Sequence, residues 1–292
     1  MASLKAIRKR IGTVRSTQQI TKAMKMVAAA KLRRAQEAAV ASRPYAQKLE
    51  AMVAHLASRV DPGSHPLLRV PEGEHRLLLI VITGDRGLCG GYNANLGRTT
   101  ENFLRERTEG GALSRLTAIG RKGNDYLKRR GFPPDTRFPM PVAADAAPIA
   151  RELARVATQA FIEDEVDAVY LVYSHFRSAL SQVPTIERLL PFERLAAADG
   201  DAAAPHADYL FEPDPQTIMA FVLPRLVEVR ILHGLLEAGA SEQGARMTAM
   251  DSATRNASEM IDRLTLEMNR ARQAAITKEL MEIIGGAEAL KG

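Results

Sequence analysis

Apolar residues at the start of the chain recur at steps of three or four, with a polar interruption at Thr17–Gln19. A narrow stripe of this kind is typical of helices that pair in a coiled coil. Ser3 to Ala57 holds one proline and one glycine among good helix formers, which predicts one extended helix, kinked or ended at Pro44. The stripe consists of Leu4, Ile7, Ile11, Val14, Ile20, Met24, Val27 and Leu32.

A second stripe lies near the end of the chain. Asp214 can cap a helix that has Pro215 at its first position, and the sequence then stays helical almost to the last residue, with Pro224 expected to bend it. An isolated helix with an apolar stripe needs a covering partner, so we expect the two helices to pair as an antiparallel coiled coil. The second stripe includes Met247, Met250, Ala253, Ala257, Met260, Leu264, Met268, Ala271, Ala275 and Ile284.

The second helix is the longer one, about 100 Å against about 80 Å at 1.5 Å per residue. We therefore expect its end, near Gly285–Ala287, to form an unpaired tip that requires an apolar sleeve from another protein. The apolar residues of this tip are Ile276, Leu280, Met281, Ile283 and Ile284.

The middle of the chain has a different pattern. The continuous apolar run Leu77–Thr83 before glycines predicts a buried parallel strand, and strand and helix patterns then alternate. The fold class predicted is α/β, with a small Rossmann-like domain and a mostly parallel sheet beside the coiled coil. We expect a helix at 1–60, an α/β base at 75–195 and a helix at 210–290, joined by a linker at 61–74 and a loop at 196–206. The other predicted strands are Leu116–Gly120, Ala168–Tyr173 and an edge hairpin at Val183–Leu190; the helices are Asn93–Arg107, Lys122–Arg130 and Pro148–Glu163.

Charge is concentrated at one end. Ten lysines and arginines precede the first acid, Glu37, and because the whole chain carries +6, the remainder has a net charge of −4. Such a segment suits a polyanion, an anionic membrane or an acidic protein, although a solvated basic helix face is an equally good interpretation. Low aromatic content, 5% with no tryptophan, disfavours an all-β fold.

The composition also limits location. The longest apolar run, Leu77–Ile82, is too short to span a bilayer, and the first ten residues do not resemble a signal peptide, so we expect a soluble, non-secreted chain without direct membrane insertion. The single cysteine, Cys89, cannot form an internal disulfide and fits a reducing compartment.

Candidate catalytic chemistry is sparse. The glycine-rich segment Gly84–Asn93 follows a strand and precedes a helix, where phosphate-binding loops occur, but it lacks the Walker ending and the G-x-G-x-x-G spacing, which favours a tight structural turn. The six histidines have no metal-site spacing, and Ser174–His175 is a dipeptide without the rest of a triad. We therefore predict no catalytic residues, no cofactor and no metal.

Three segments together carry a resemblance: 20–31, 85–91 and 250–284, the last including Ala271–Thr277. Over essentially its full length the chain resembles the γ-subunit family of F-type (F1Fo) ATP synthase. The resemblance implies a central rotor shaft inside an α3β3 ring, with its base beside the ε subunit on the membrane c-ring. It also implies that catalysis belongs to the β subunits, and that the chain is peripheral on the cytoplasmic face of a bacterial inner membrane or on the matrix side of a mitochondrial one.

The same resemblance implies contact residues. Met24, with Lys22 and Lys25, would face acidic lever loops of the β subunits, whereas Arg272, Gln273 and Thr277 would contact the inner catch loops of the ring. Chloroplast members carry an inserted cysteine pair as a redox switch, which is not expected where Cys89 is the only cysteine.

Two other classes of function stay open at this stage. A coiled-coil nucleic-acid-binding protein would explain the N-terminal cations, but residues 1–44 contain no aromatic side chain for stacking on bases. The second alternative class is an α/β enzyme that binds a nucleotide at Gly84–Gly91. A salt titration of DNA binding and calorimetry with ATP or NAD would distinguish them.

If the resemblance holds, torque depends on the stiffness of the paired helices more than on charge, because exposed ion pairs contribute only about 0.2–1 kcal/mol each. Neutralising Lys22 and Lys25 together is then expected to reduce ATP-driven proton pumping modestly, whereas glycine or proline at Val27 or Leu264 should reduce it severely. Equal losses from the two kinds of variant would contradict this.

Overall fold

The computed structural model describes residues 4–57, 65–192 and 214–289. Contacts divide the chain into two compact units. The terminal unit comprises residues 1–27 and 247–292, and the sheet unit comprises residues 28–246. In chain order the elements are α1 (Leu4–Ala57), a 3-10 turn (Pro66–Leu68), β1 (Arg76–Ile82), α2 (Tyr92–Glu109), β2 (Leu113–Ile119), α3 (Arg121–Arg129), β3 (Thr136–Phe138), a 3-10 turn (Ala143–Asp145), α4 (Ala146–Ile162), β4 (Ala168–Phe176), β5 (Gln182–Leu190) and α5 (Pro215–Ala289).

The sheet has five strands in the order β3-β2-β1-β4-β5. β1 is parallel to both of its neighbours, with Leu79 opposite Leu116 on one side and Tyr170 on the other. Only the last pair, β4 with β5, is antiparallel, as expected for a hairpin. The predicted α/β class with a mostly parallel sheet and long terminal helices is confirmed. The short strand β3 was not predicted, because it is only three residues long and two of them, Thr136 and Arg137, are exposed polar residues that carry no apolar pattern.

Successive side chains of β1 point to opposite faces of the sheet, and each face has its own core. Leu78, Ile80 and Ile82 join the core formed with α1, α4 and α5, whereas Leu77 and Leu79 join the core formed with α2 and α3. Both faces are covered, which is why β1 is a continuous apolar run instead of an alternating one. Each fully buried leucine or isoleucine contributes about 1.5–3 kcal/mol.

The sequence predicts that Pro44 either kinks α1 or ends it, and the second of these predictions is wrong. The helix continues to Ala57 with Pro44 inside it. A proline inside a helix removes one hydrogen bond and costs about 3 kcal/mol. Ala39 on one side of Pro44 and Leu49 and Val53 on the other are all buried in the same core, and this burial holds the helix together. Pro224 likewise lies inside α5.

The segment expected to be a linker contains a buried side chain. From His65 onwards it forms the 3-10 turn, whose Leu67 is fully buried in the core, and the Nδ1 of His65 accepts the Leu67 N–H at 3.1 Å. Arg69 donates to the carbonyl of Phe161 at the end of α4 at 3.0 Å. This part of the segment is packed against the domain. The first part of the linker, residues 61–64, and the loop predicted at 196–206 lie outside the described residues.

Thr83, directly after β1, joins the strand to the start of α3. Its Oγ1 donates to the carbonyl of Ile119 at 3.0 Å and accepts the Gly123 N–H at 2.9 Å. Gly120 has φ +87°, and a Cβ built there would lie 2.1 Å from the carbonyl oxygen of Thr83. Gly120 is therefore required both by its backbone conformation and by the close approach of β1.

Gly120→Ala is expected to lower the free energy of unfolding by on the order of 3 kcal/mol, because strain at positive φ adds to a backbone clash. The matched control is Gly131→Ala, which has nearly the same φ, +89°, but nothing within 4 Å of the added Cβ. It should cost about 1 kcal/mol. Chemical denaturation of the full chain measures both values, and equal losses would show that the clash is relieved.

Candidate partner-binding surfaces of the terminal helices

Within the terminal unit, α1 and α5 pair in antiparallel orientation. The hydroxyls of Thr21 and Thr254 lie 2.8 Å apart, and the Nζ of Lys25 lies 2.5 Å from Oδ1 of Asp251. As residue numbers rise along α1, the residue numbers of the contacting positions on α5 fall. This is the antiparallel pairing predicted from the sequence. An apolar cluster lies toward the start of α1, formed by Ile7, Ile11 and Leu264 with Val14, Ile261, Met268 and Ala271 packed against it.

Besides Ile284 at the exposed end of α5, the predicted stripe is wrong in three places. Ile20, Val27 and Met260 were assigned to the interface between the helices, but they are 60%, 56% and 44% exposed. Thr21 and Ala28 are the buried residues instead, because strictly alternating steps of four and three from Ile7 reach these small side chains. Ranking residues by hydrophobicity missed them, whereas strict heptad counting would have found them.

Large apolar side chains lie on the outer surface of α1. Ile20, Met26 and Val27 are all more than half exposed, and Lys22 is exposed among them. Several exposed apolar side chains close together on one helix indicate a surface that another protein covers. This surface combines apolar contact area with positive charge.

The residues that the resemblance singled out form two groups. Lys22, Met24 and Lys25 lie within one turn of α1. Lys22 is exposed, Met24 is half-buried, and Lys25 is half-buried in its ion pair with Asp251. Arg272, Gln273 and Thr277 are exposed on α5. Because Lys25 is level with Asp251, the two groups are separated by about 30 Å along the helix pair. The sequence pattern did not reveal that Asp251, Thr21 and Thr254 lie beside the first of these groups.

The end of α5 is exposed, as the difference in helix length predicted. Every described side chain from Ile276 to Gly286 is exposed, including five large apolar residues. They are Ile276, Leu280, Met281, Ile283 and Ile284, each at least half exposed. This surface, the α5 tip, is the second candidate site for a partner.

The glycine-rich segment after β1 forms the tight turn that the sequence favoured. Oδ1 of Asn93 accepts the Gly84 N–H at 2.9 Å, and its Nδ2 donates to the carbonyl of Arg86. The two carboxylate oxygens of Asp85 accept the N–H groups of Arg121 and Met140 at 2.9 and 3.2 Å. Side chains within the domain thus satisfy these backbone donors.

The sheet reverses its order beside β1, and in doubly wound sheets ligands bind at this point, outside the carboxyl ends of the strands. Here α5 occupies the position. Oγ of Ser241 donates to the carbonyl of Ser174 at 2.8 Å, and the buried carboxylate of Glu237 accepts the Phe176 N–H at 2.8 Å. Arg246 is 2.6 Å from Oε1 of Glu242 and 3.3 Å from the carbonyl oxygen of Gly87. The chain therefore fills this crevice with its own helix.

Comparison with known proteins gives one consistent family. A family model described as ATP synthase matches residues 3–290. The ATP synthase gamma chain of Geotalea daltonii is 51% identical and that of Moorella thermoacetica 49%, each over the whole of both chains. This chain belongs to the ATP synthase gamma-chain family.

Solved structures agree in fold. A chain from the central stalk and c-ring of the Tetrahymena thermophila mitochondrial ATP synthase is 26% identical with a TM-score of 0.58, covering 80% of this chain and 99% of that chain. A chain from the rotor of the Euglena gracilis mitochondrial ATP synthase is 22% identical with a TM-score of 0.63, covering 94% of this chain and 98% of that chain. The second likeness supports the fold alone.

As a gamma-chain family member, the protein is the rotor-shaft subunit of an F-type ATP synthase, whose catalytic sites lie in the β subunits. This assignment decides against the nucleic-acid-binding alternative. It also makes the chain a peripheral subunit of a membrane-associated complex. Among the helices that the structure describes, none is long and apolar enough to cross a bilayer. The described residues also contain no cluster of three His, Cys, Asp or Glu side chains suited to a metal ion.

The Lys25–Asp251 pair gives the gamma-chain helix pair a pH dependence. The hydrogen bond from Lys25, reinforced by its charge, lowers the pKa of Asp251 below the ordinary value. A carboxyl group whose pKa is lowered by folding stabilises the folded state at any pH above its ordinary pKa. This stabilisation disappears as the pH falls through the pKa that the group has in the folded state.

We therefore expect Lys25→Met to lower the melting temperature of the full chain at about pH 7, and the difference from the parent to shrink below about pH 4. Lys22→Met, at an exposed position one turn away, is the matched control and should show a smaller pH-dependent difference. A Lys25→Met deficit that stays constant down to about pH 3 would contradict the assignment.

Proposed function

We propose that this chain couples rotation of the proton-driven c-ring to the conformational cycle of the catalytic β subunits. The observation that carries the proposal is the gamma-chain family match over residues 3–290, on a chain whose terminal helices pair with each other and leave the α5 tip exposed. An exposed apolar helix end is stable in water only if a partner covers it. An apolar sleeve formed by the α3β3 ring supplies that cover.

We assign two levels of contact with the ring to the two groups of residues that the resemblance singled out. Lys22, Met24 and Lys25, beside the exposed Ile20 and Val27, form the level that meets the acidic lever loops of the β subunits. Arg272, Gln273 and Thr277 form the level that meets the inner catch loops. Complementary charge supports the first contact, and exposed hydrogen-bonding groups support the second.

The physical basis of coupling is asymmetry. One shaft cannot present the same surface to three catalytic sites at once, so it stabilises a different conformation at each site through differential contact. Half-exposed ion pairs such as Lys25–Asp251 are screened by solvent and contribute little individually. Burial between the helices, as at Ile7, Ile11 and Leu264, supplies the stiffness that transmits torque.

The remaining partners are assigned to the part of the chain that contains the sheet. We place the α/β base, residues 75–195, beside the ε subunit and the c-ring, with residues 1–60 and 210–290 as the two shaft helices. The covered faces of the five-stranded sheet support a rigid base. We place the complex on the cytoplasmic face of a bacterial inner membrane, because the relatives that are about half identical come from bacteria; a mitochondrial matrix location is the alternative.

Co-expression with the α and β subunits of the same source tests the assembly. The full chain should co-purify with both subunits in a stable complex. Failure to co-purify, with the chain itself folded, would contradict the proposed shaft role.

Replacing Arg272, Gln273 and Thr277 together by alanine should reduce ATP-driven proton pumping severalfold in the assembled enzyme, because three hydrogen-bonding groups at the catch loops are lost. The matched control replaces Asp262 and Arg263, exposed on the same helix but outside the implied contact set. Equal loss in both variants would show that the substitutions act by disturbing the helix and not by removing contacts with the catch loops.

A further inference from the structure

Arg105 on α2 and Arg130, directly after α3, converge on one buried carboxylate, that of Glu101, which is 8% exposed. Nε and Nη2 of Arg105 lie 3.1 and 2.9 Å from Oε1 of Glu101, and the Tyr126 hydroxyl donates to Oε2 at 2.9 Å. Nε of Arg130 lies 3.6 Å from the same Oε2. Both oxygens of Glu101 are therefore engaged.

Positive charge exceeds negative charge at this cluster. The hydrogen bonds from Arg105 and Tyr126 lower the pKa of Glu101, which keeps it ionised at neutral pH. Burial raises the pKa of the Tyr126 hydroxyl, as does its hydrogen bond to Glu101, while the charge of Arg130 lowers it. Two guanidinium groups on one carboxylate leave a local charge of about +1.

The cluster is held in a fixed geometry. The guanidinium of Arg105 lies over the Phe132 ring at 5.7 Å, and that of Arg130 lies over the Tyr126 ring at 5.4 Å. A Cβ on Gly97 would lie 2.7 Å from the Tyr126 ring, which shows how closely α2 approaches α3 here. The side chains of Arg105 and Arg130 are nevertheless 54% and 55% exposed. They present oriented donors to solvent with little further entropy to lose on binding.

We propose that Arg105 and Arg130 form a binding site for a phosphoryl anion, with Glu101 positioning both arginines from inside. Arginine matches the geometry of phosphate oxygens through paired N–H donors, and a fixed excess of positive charge at an aromatic wall selects an anion. The anion is the headgroup of an anionic phospholipid or free phosphate, which offer the same oxygen donor set. This site is independent of the proposed contacts with the α3β3 ring.

Two measurements on the full-length chain distinguish the sources. The first titrates sodium phosphate at constant ionic strength and follows binding by calorimetry. The second measures flotation with vesicles of phosphatidylglycerol and phosphatidylcholine against vesicles of phosphatidylcholine alone. Saturable binding of phosphate identifies the free anion, and selective flotation with phosphatidylglycerol identifies the headgroup. The proposal is overturned if phosphate shows no saturable binding and the chain shows no selective flotation with phosphatidylglycerol.

Arg130→Gln leaves Glu101 with Arg105 and Tyr126, so the fold should persist, and unchanged melting checks this. Affinity in the positive measurement should fall about tenfold, the loss of one charge-assisted hydrogen bond. The control is Arg155→Gln on α4, an arginine 61% exposed and paired with Glu152. An equal loss in Arg155→Gln would overturn the site, because any surface cation would then suffice.

Discussion

The mutual burial of the two terminal helices is the interaction on which the rest of the structure depends. Neither α1 nor α5 has an apolar face that could remain in water along its whole length. In the terminal unit they cover each other through the cluster at Ile7, Ile11 and Leu264, and in the sheet unit both pack into the core with α4. Without this burial there would be no stiff element to carry torque and no defined level for either group of proposed contact residues.

The second constraint is the filling of the sheet crevice by α5. In a doubly wound sheet the point where strand order reverses is the usual ligand site. Glu237 and Ser241 instead hydrogen-bond the end of β4, and Arg246 contacts the glycine-rich turn. A feature that resembles a nucleotide loop in sequence thus serves to fix a long helix against its domain. This use is consistent with a gamma-chain subunit whose enzyme carries catalysis elsewhere.

The candidate sites were only partly accessible from sequence. The α5 tip could be predicted, since it follows from the unequal helix lengths and from the apolar residues near Ile283. The outer apolar surface of α1 was missed, because the stripe was chosen by hydrophobicity and not by strict heptad counting, and Ile20 and Val27 are strongly hydrophobic. Thr21 and Ala28 are buried in their place, and a small or polar residue at such a position gives a weak hydrophobic signal. The pairing of Lys25 with Asp251 joins residues far apart in the chain.

Sequence alone determined the order of the helices and of every strand except β3, the mostly parallel sheet, the antiparallel partnership of the ends and the family resemblance. These properties follow from local periodicity, breakers and motif order, which are written along the chain. Tertiary structure decided which stripe is buried, that α1 runs through Pro44, that Leu67 belongs to the core, and that Arg105 of α2 and Arg130, directly after α3, meet at Glu101. Each of these depends on which side chains distant in sequence come into contact, and the free energy of that burial outweighs local preference.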